Sequence, residues 1–267
     1  MNRNSSFEAI ILSTKTQGEN NRLASIFCAE KGIFNATLYG GPKSRLRSQI
    51  EPWNRGTIWL YTNFKDGINH IKINDFSVTN SHLSFRKSLF KTWAASLAAE
   101  ILIKSKCAGD YHKSWILFNA FLDGLDACTT EFQEKTGLLR FLWRYIELLG
   151  VQPDCTKCNF CQKDFFTLKK TPSDVLLKGV VFDPEENAFF CRECSYSINL
   201  SSKNRFIFLE SESVLYLNGI NTMSPSLSRE QKISQRGMNQ LKELLFFLIE
   251  QALSCKLLTL QSGLGIL

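Results

Sequence analysis

Two Cys-x-x-Cys pairs separated by a run of about thirty residues constrain this chain more than any other feature. The first pair lies in CTKCNFC (155–161) and the second in CREC (191–194). Thiolates at this spacing form a tetrahedral clamp, most often for zinc. Cys158 and Cys161 with Cys191 and Cys194 form the primary set. Cys155 with Cys158 is a competing register that spacing leaves open. Four sulfur ligands close the coordination shell and leave no position for water or substrate, which marks a structural ion. Between the pairs, residues 175–182 and 187–190 read as a hairpin around 183–186 that carries the second pair back to the first. The opposing reading is a chance cluster of buried, unpaired cysteines.

A chain of 267 residues suits one large domain or two to three small ones. Nine cysteines, four or five of them in metal spacing, fit a reducing compartment. Cys28, Cys107, Cys128 and Cys255 sit in apolar stretches and read as plain core residues. The start, MNRNSS, is too polar for a secretory signal. No apolar run approaches the roughly 20 residues of a membrane span. The expectation is a soluble, cytoplasmic protein. A formal charge of +7 and a pI near 8.9 permit polyanion binding without demanding it.

The first eighty residues read as β. Segments 7–13, 32–41, 56–62 and 68–75 are strand candidates, and 19–32 is a turn leading into a further element. Phe34, Ala36 and Leu38 alternate with Asn35, Thr37 and Tyr39, the period of a half-buried strand. Short strands at this density point to a small closed barrel of the SH3-like or OB kind, which leaves no free sheet edge. Between the third and fourth strands, GGPKSRLRSQIEPW (40–53) reads as a polar loop carrying Lys43, Arg45 and Arg47. Three cations without an acid before Glu51 would set a positive field on one rim, which Arg22 and Lys72 could join. The plainer reading is a solvated charged loop. Trp59 and Tyr61 alternate with Ile58 and Leu60. One pair faces outward; the aromatic pair there would offer flat rings for base stacking, but core packing of that pair is the expectation.

Past residue 85 the period becomes helical. Leu89, Trp93, Leu97 and Ile101 recur four apart in 85–106. Residues 114–128 form a second helix. Residues 132–150, apolar on most faces toward the end, form a third that Gly150 stops. A short helix is expected at 211–219, a polar linker at 221–237, and a final amphipathic helix at 238–259 that returns to the helices at 85–150. The fold class is therefore a multi-domain α+β protein: a small closed barrel of the SH3-like or OB kind at 1–80, a helical bundle at 81–152 and 196–267, and a four-cysteine zinc module inserted at 153–195.

Catalysis finds little support. A zinc deaminase or hydrolase needs an open ligand position and a motif such as HxE or HExxH. His70, His82 and His112 lie in no such motif and far from the cysteines. Neither GxxxxGK[ST] nor GxGxxG is present, so nucleotide hydrolysis is unsupported. A third class is a zinc-braced scaffold or adaptor without DNA contact.

The order of elements, together with FEAIIL, the turn ending at Arg22, KGIFNATLYGGPKSRLRSQIEPW and LLGVQPDCTKCNFC…VVFDPEENAFFCREC, resembles the RecO family of bacterial recombination mediators. The family pattern falls on Gly150, Cys158, Cys161, Phe182, Glu185, Cys191 and Cys194, and it favours the Cys158/Cys161 register. One departure is Gln162, where a glycine is usual. The resemblance implies an OB-fold that binds single- and double-stranded DNA through Arg22, Lys43, Arg45, Arg47 and Lys72. It implies a nucleoid-associated, non-enzymatic role in the RecF pathway: annealing complementary strands and helping to load recombinase. It implies two partners, RecR and the acidic, apolar C-terminal tail of single-strand-binding protein (SSB). For that tail, Arg86, Lys87 and Lys91 on the first helix, or Arg140 and Arg144 on the third, are candidate contacts.

Overall fold

A computed structural model describes residues 3–41, 44–65, 68–166, 179–197 and 206–263. Its contacts divide the chain into two compact units, Met1–Glu134 with Lys256–Leu267, and Lys135–Cys255.

In the first unit, strands β1 (Asn4–Gln17), β2 (Asn21–Cys28), β3 (Gly32–Leu38), β4 (Arg55–Lys65) and β5 (Ile68–Asn80) close into a barrel in the order β1-β2-β3-β5-β4. Closure depends on the length of β1. Its first half pairs with β4 from Asn4 to Ile10, and its second half pairs with β2 from Ile10 to Gln17. A register shift between Ile11 and Ser13 bends the strand from one partner to the other. The last seam is the parallel contact of β3 with β5 at Thr37 and Lys72. Gly56 is required on β4, because a Cβ there would collide with the Ser77 carbonyl of β5. The inward phase (Ala9, Ile11, Ala24, Ile26, Ala36, Leu38, Ile58, Leu60, Ile73 and Phe76) fills the barrel with small and branched side chains.

Residues 44–53 carry more structure than the expected loop. Arg45–Gln49 form a helical turn, α1. Leu46 and Ile50, four residues apart, both pack on the barrel core. Burying this pair is what closes the coil into a helix, and it leaves Arg45 exposed.

Beyond the barrel, α2 (Leu89–Lys104) starts at Ser88, whose hydroxyl accepts the Lys91 amide N–H. Helix α3 (Tyr111–Asp126) starts at Asp110 in the same way. Buried Ala94, Ala95, Ala98 and Ala99 allow close packing along α2. A polar hub joins β4 to α3. Asp123 accepts from Arg55 at 2.9 Å and from Asn80 at 3.1 Å, and lies 3.0 Å from Nε2 of buried His82. Nδ1 of His82 lies 2.7 Å from the Trp53 carbonyl. The short α9 (Leu258–Ser262) packs against α2. Glu100 accepts the Leu258 and Thr259 amides at 2.9 and 2.8 Å, and the Trp93 indole donates to the Thr259 carbonyl at 2.9 Å.

Helix α4 (Glu131–Leu148) crosses the division between the units, and its apolar end supplies Leu142, Trp143, Tyr145 and Ile146 to the buried interior. The second unit adds strands β6 (Val180–Asp183), β7 (Ala188–Cys191) and β8 (Ile207–Leu209), in the order β7-β6-β8. The expected hairpin is present as β6 and β7; residues 175–178 of the expectation lie outside the described residues. Phe182 packs between Phe189 and Phe247, with ring centroids at 5.2 and 6.3 Å. Helices α5 (Arg192–Ser197), α6 (Ser211–Thr222), α7 (Pro225–Glu230) and α8 (Gln235–Leu253) complete the unit. The polar stretch expected as linker holds α7, which Ser224 caps and Pro225 starts. Among the described residues, no helix is long and apolar enough to cross a membrane.

Candidate metal centre and nucleic-acid surface

The metal centre is assembled from two short turns. In the first, the Gln162 amide donates to the Cys158 carbonyl, and the Cys158 amide donates to the Lys163 carbonyl, both at 3.0 Å. Closing that turn puts Gln162 at φ +59°, the left-handed region that glycine enters without cost. The Asn159 amide then donates to the Phe189 carbonyl at 2.8 Å, docking the turn on β7. In the second, Cys191 ends β7 and the first turn of α5 brings Cys194 back, with its amide 3.5 Å from the Cys191 sulfur.

The Sγ atoms of Cys158, Cys161, Cys191 and Cys194 lie within 4.8 Å of one another. Cys161 and Cys191 are 3.9 Å apart. Sulfurs at about 2.3 Å from one ion and at tetrahedral corners stand roughly 3.8 Å apart, so the cluster has the dimensions of a four-thiolate site. Cys158, Cys191 and Cys194 are buried, and Cys161 faces solvent. Burial raises the Cys158 thiol, but the Cys161, Cys191 and Phe160 amides outweigh it and bring its pKa down to about 7. Cys191 and Cys194 are pushed up, first by burial and then, for Cys194, by the neighbouring cysteines. One thiolate forms readily and opposes the ionisation of its neighbours, and a bound cation removes that opposition. Cys155 stands outside the group. It is buried, its Sγ lies 3.9 Å from Asn221 Nδ2, and burial pushes its pKa up to about 12.

The barrel cations divide between surface and interior. Arg45 and Lys72 are exposed. Arg22 pairs across the sheet with inward-facing Leu38 and forms an ion pair of 2.8 Å with Glu51 just beyond α1. Arg47 is half-buried, with a buried Nη1 that has no hydrogen-bond partner among the described residues. Lys43 lies outside the described residues. The aromatic pair reverses the expectation of core packing: Ile58 and Leu60 are buried, whereas Trp59 is 40% exposed and Tyr61 half-buried. Ile58 and Leu60 take the inward phase of β4, so the rings of Trp59 and Tyr61 take the outward one.

The helix cations also separate. Arg86 and Lys87 are exposed, and Arg86 lines a cavity of about 500 Å³ with Pro52, Trp53 and Phe85. Lys91 offers a partner nothing. Only 3% of it is exposed, and its ammonium donates to the Cys128 carbonyl at 2.8 Å and to Ser84 Oγ at 3.0 Å. Arg140 donates to the Tyr216 hydroxyl at 3.1 Å; Arg144 bonds the Ile220 carbonyl and Glu147. Both arginines tie α4 to α6. Sequence spacing marked all three as helix-surface charges because their acceptors lie far along the chain.

The fold and site define a class: a modular α+β protein in which a small barrel with exposed cations is joined to helices and a four-cysteine centre. The sequence matches the family profile described as "Recombination protein O N terminal" over residues 1–77 and the one described as "Recombination protein O C terminal" over residues 86–257. The chain belongs to the RecO family. Among similar proteins, "DNA repair protein RecO" of Oceanobacillus iheyensis is 25% identical over 212 residues, covering 77% of this chain and 75% of that protein. "DNA repair protein RecO" of Syntrophobacter fumaroxidans is 24% identical over 165 residues, covering 61% and 64%. "DNA repair protein RecO" of Syntrophomonas wolfei is 25% identical over 198 residues, covering 70% and 69%.

Proposed function

We propose that this protein is a DNA-binding recombination mediator that works in DNA repair without a reaction centre of its own. It anneals complementary single strands in the cytoplasm, at the nucleoid, and acts with RecR to help load recombinase onto SSB-coated DNA. Membership of the RecO family carries this reading, and the exposed cations of a closed barrel give it a mechanism. Arg45 and Lys72, with Lys43, the ion-paired Arg22 and the half-buried Arg47, neutralise phosphates and release counterions. Such contacts are blind to sequence, as annealing of arbitrary strands requires. They also lower the repulsion between two strands held side by side.

The ion of the cysteine centre is zinc, held by Cys158, Cys161, Cys191 and Cys194. It braces the fold, since four thiolates leave no position for a reacting water. The cavity beside Arg86 is the receptor for the SSB tail: Pro52, Trp53 and Phe85 take apolar side chains and Arg86 meets acidic ones.

The test replaces Lys43, Arg45 and Lys72 together with Glu. Affinity for a single-stranded oligonucleotide should fall at least tenfold and annealing should cease, while the melting temperature stays within a few degrees. Unchanged annealing would place the DNA site elsewhere. Absence of any DNA binding by the wild type would favour the adaptor reading.

A further inference from the structure

The outer face of β4 carries rings for which the barrel has no internal use. Trp59 and Tyr61 stand two residues apart on the phase opposite to buried Ile58 and Leu60, roughly 6.8 Å from each other along the strand. Tyr61 lies directly across from Lys72 on β5. The Lys72 ammonium is 5.9 Å from the centroid of the Tyr39 ring, which is 53% exposed. Arg3 donates to the Tyr61 hydroxyl at 3.4 Å. The cross-strand neighbours of Trp59 are Ser6 and Asp75, and neither is large enough to cover an indole. Aromatic rings thus form a row, Trp59–Tyr61–Lys72–Tyr39, with cations interleaved at one end.

We propose that this row is a stacking platform for the bases of single-stranded nucleic acid. The inference rests on the DNA-binding reading above, which assigned phosphate contacts alone. Three features favour an unpaired strand as the occupant. A flat ring beside a cation accepts any base, because every base offers a π-face. A duplex keeps those faces stacked inside and has none to offer. The charge is also polarised. Arg3 and Lys72 gather near Tyr61 and Tyr39, whereas Asp75 lies beside Trp59, so phosphates run on the Arg3–Lys72 side and bases turn toward the rings. A base held by its π-face keeps its pairing edge open to a complementary strand. Once paired and restacked it leaves the platform, so the duplex product is released.

Titration of the whole protein against three probes tests this: a short oligothymidylate, an abasic strand of equal length and a duplex. The variants are Trp59→Thr with Tyr39→Thr, which keep β-forming side chains on the strand and just past its end, and Trp59→Phe, which keeps a ring. Wild type should bind oligothymidylate roughly ten to a hundred times more tightly than the abasic strand. The double variant should lose that margin while its affinity for the abasic strand and the duplex is unchanged, and Trp59→Phe should keep most of it. Binding of oligothymidylate should quench tryptophan fluorescence in the wild type and not in the double variant. Equal loss for all three probes, or no loss for any, would overturn the platform while leaving phosphate binding in place. A wild type that binds none of the probes would overturn both readings together.

Discussion

In the barrel, Arg45, Lys72, Tyr39 and Trp59 are held out to solvent by a framework of buried aliphatic side chains. In the cysteine module the arrangement is inverted: the chemically distinctive groups, Cys158, Cys191 and Cys194, are buried, and backbone amides point at the sulfurs of Cys158 and Cys191. The first region keeps its rim of cations because closing the strands satisfies the backbone without them. The second is built on a three-stranded sheet, and its two turns meet at the four sulfurs, where on the proposed reading an ion would add cohesion. On the proposed function the contrast separates a working surface from a structural brace, and each side of it can be broken independently.

The largest expected effect is on the brace. Cys191→Ser should lose the metal, measured as zinc per chain, and lower the melting temperature by more than about 10 °C. Full metal content in that variant would refute the centre. A drop of more than threefold in the affinity of the still-folded protein for DNA would show that brace and surface are one device.

Within the barrel unit, Asp123→Ala should cost about 1–3 kcal/mol in denaturant unfolding, because it removes the acceptor shared by Arg55 and the buried ring of His82. Burial pushes the Asp123 carboxyl up, but hydrogen bonds from Arg55 and His82 outweigh it and hold its pKa below the ordinary value. A carboxyl depressed in the folded state stabilises fully above its unfolded pKa of about 4, and that contribution fades as pH falls through the lower folded value. Wild type should therefore lose stability in that acid window, and Asp123→Asn should flatten the slope there. An unaltered slope would remove Asp123 from the hub.

Two smaller effects sharpen the brace. Cys155→Ser should retain the metal and cost about 1 kcal/mol, as expected for a buried sulfur beside Asn221 rather than a ligand; metal loss would restore the competing register. Gln162→Gly should stabilise the module by about 0.5–1 kcal/mol in denaturant melts, since it relieves a left-handed backbone. Destabilisation instead would show that the side-chain bond of Gln162 to the Asn159 carbonyl outweighs that strain.

What the sequence disclosed follows the range of each interaction. The cysteine cluster and the barrel strands rest on short spacings and alternation, and both could be read directly. Alternation offered two phases for Trp59 and Ile58 but not which one faces in, because that depends on the width of the closed barrel. The α1 turn was hidden in a charged stretch whose only apolar pair is Leu46 and Ile50. Lys91, Arg140 and Arg144 resemble surface charges until Cys128, Tyr216 and Ile220 arrive from elsewhere in the chain. The hub of Arg55, His82 and Asp123 spans about seventy residues and left no local pattern to find.

The central claim is that the cationic barrel, not a reaction centre, does the work, and the salt dependence of DNA binding tests it most directly. The logarithm of affinity for single-stranded DNA should fall linearly with the logarithm of salt concentration, with a slope of about −0.7 for each phosphate contacted. Replacing Lys43, Arg45 and Lys72 should make that slope shallower by about two units. A wild-type affinity that does not respond to salt, or a slope the three replacements leave unchanged, would contradict the account.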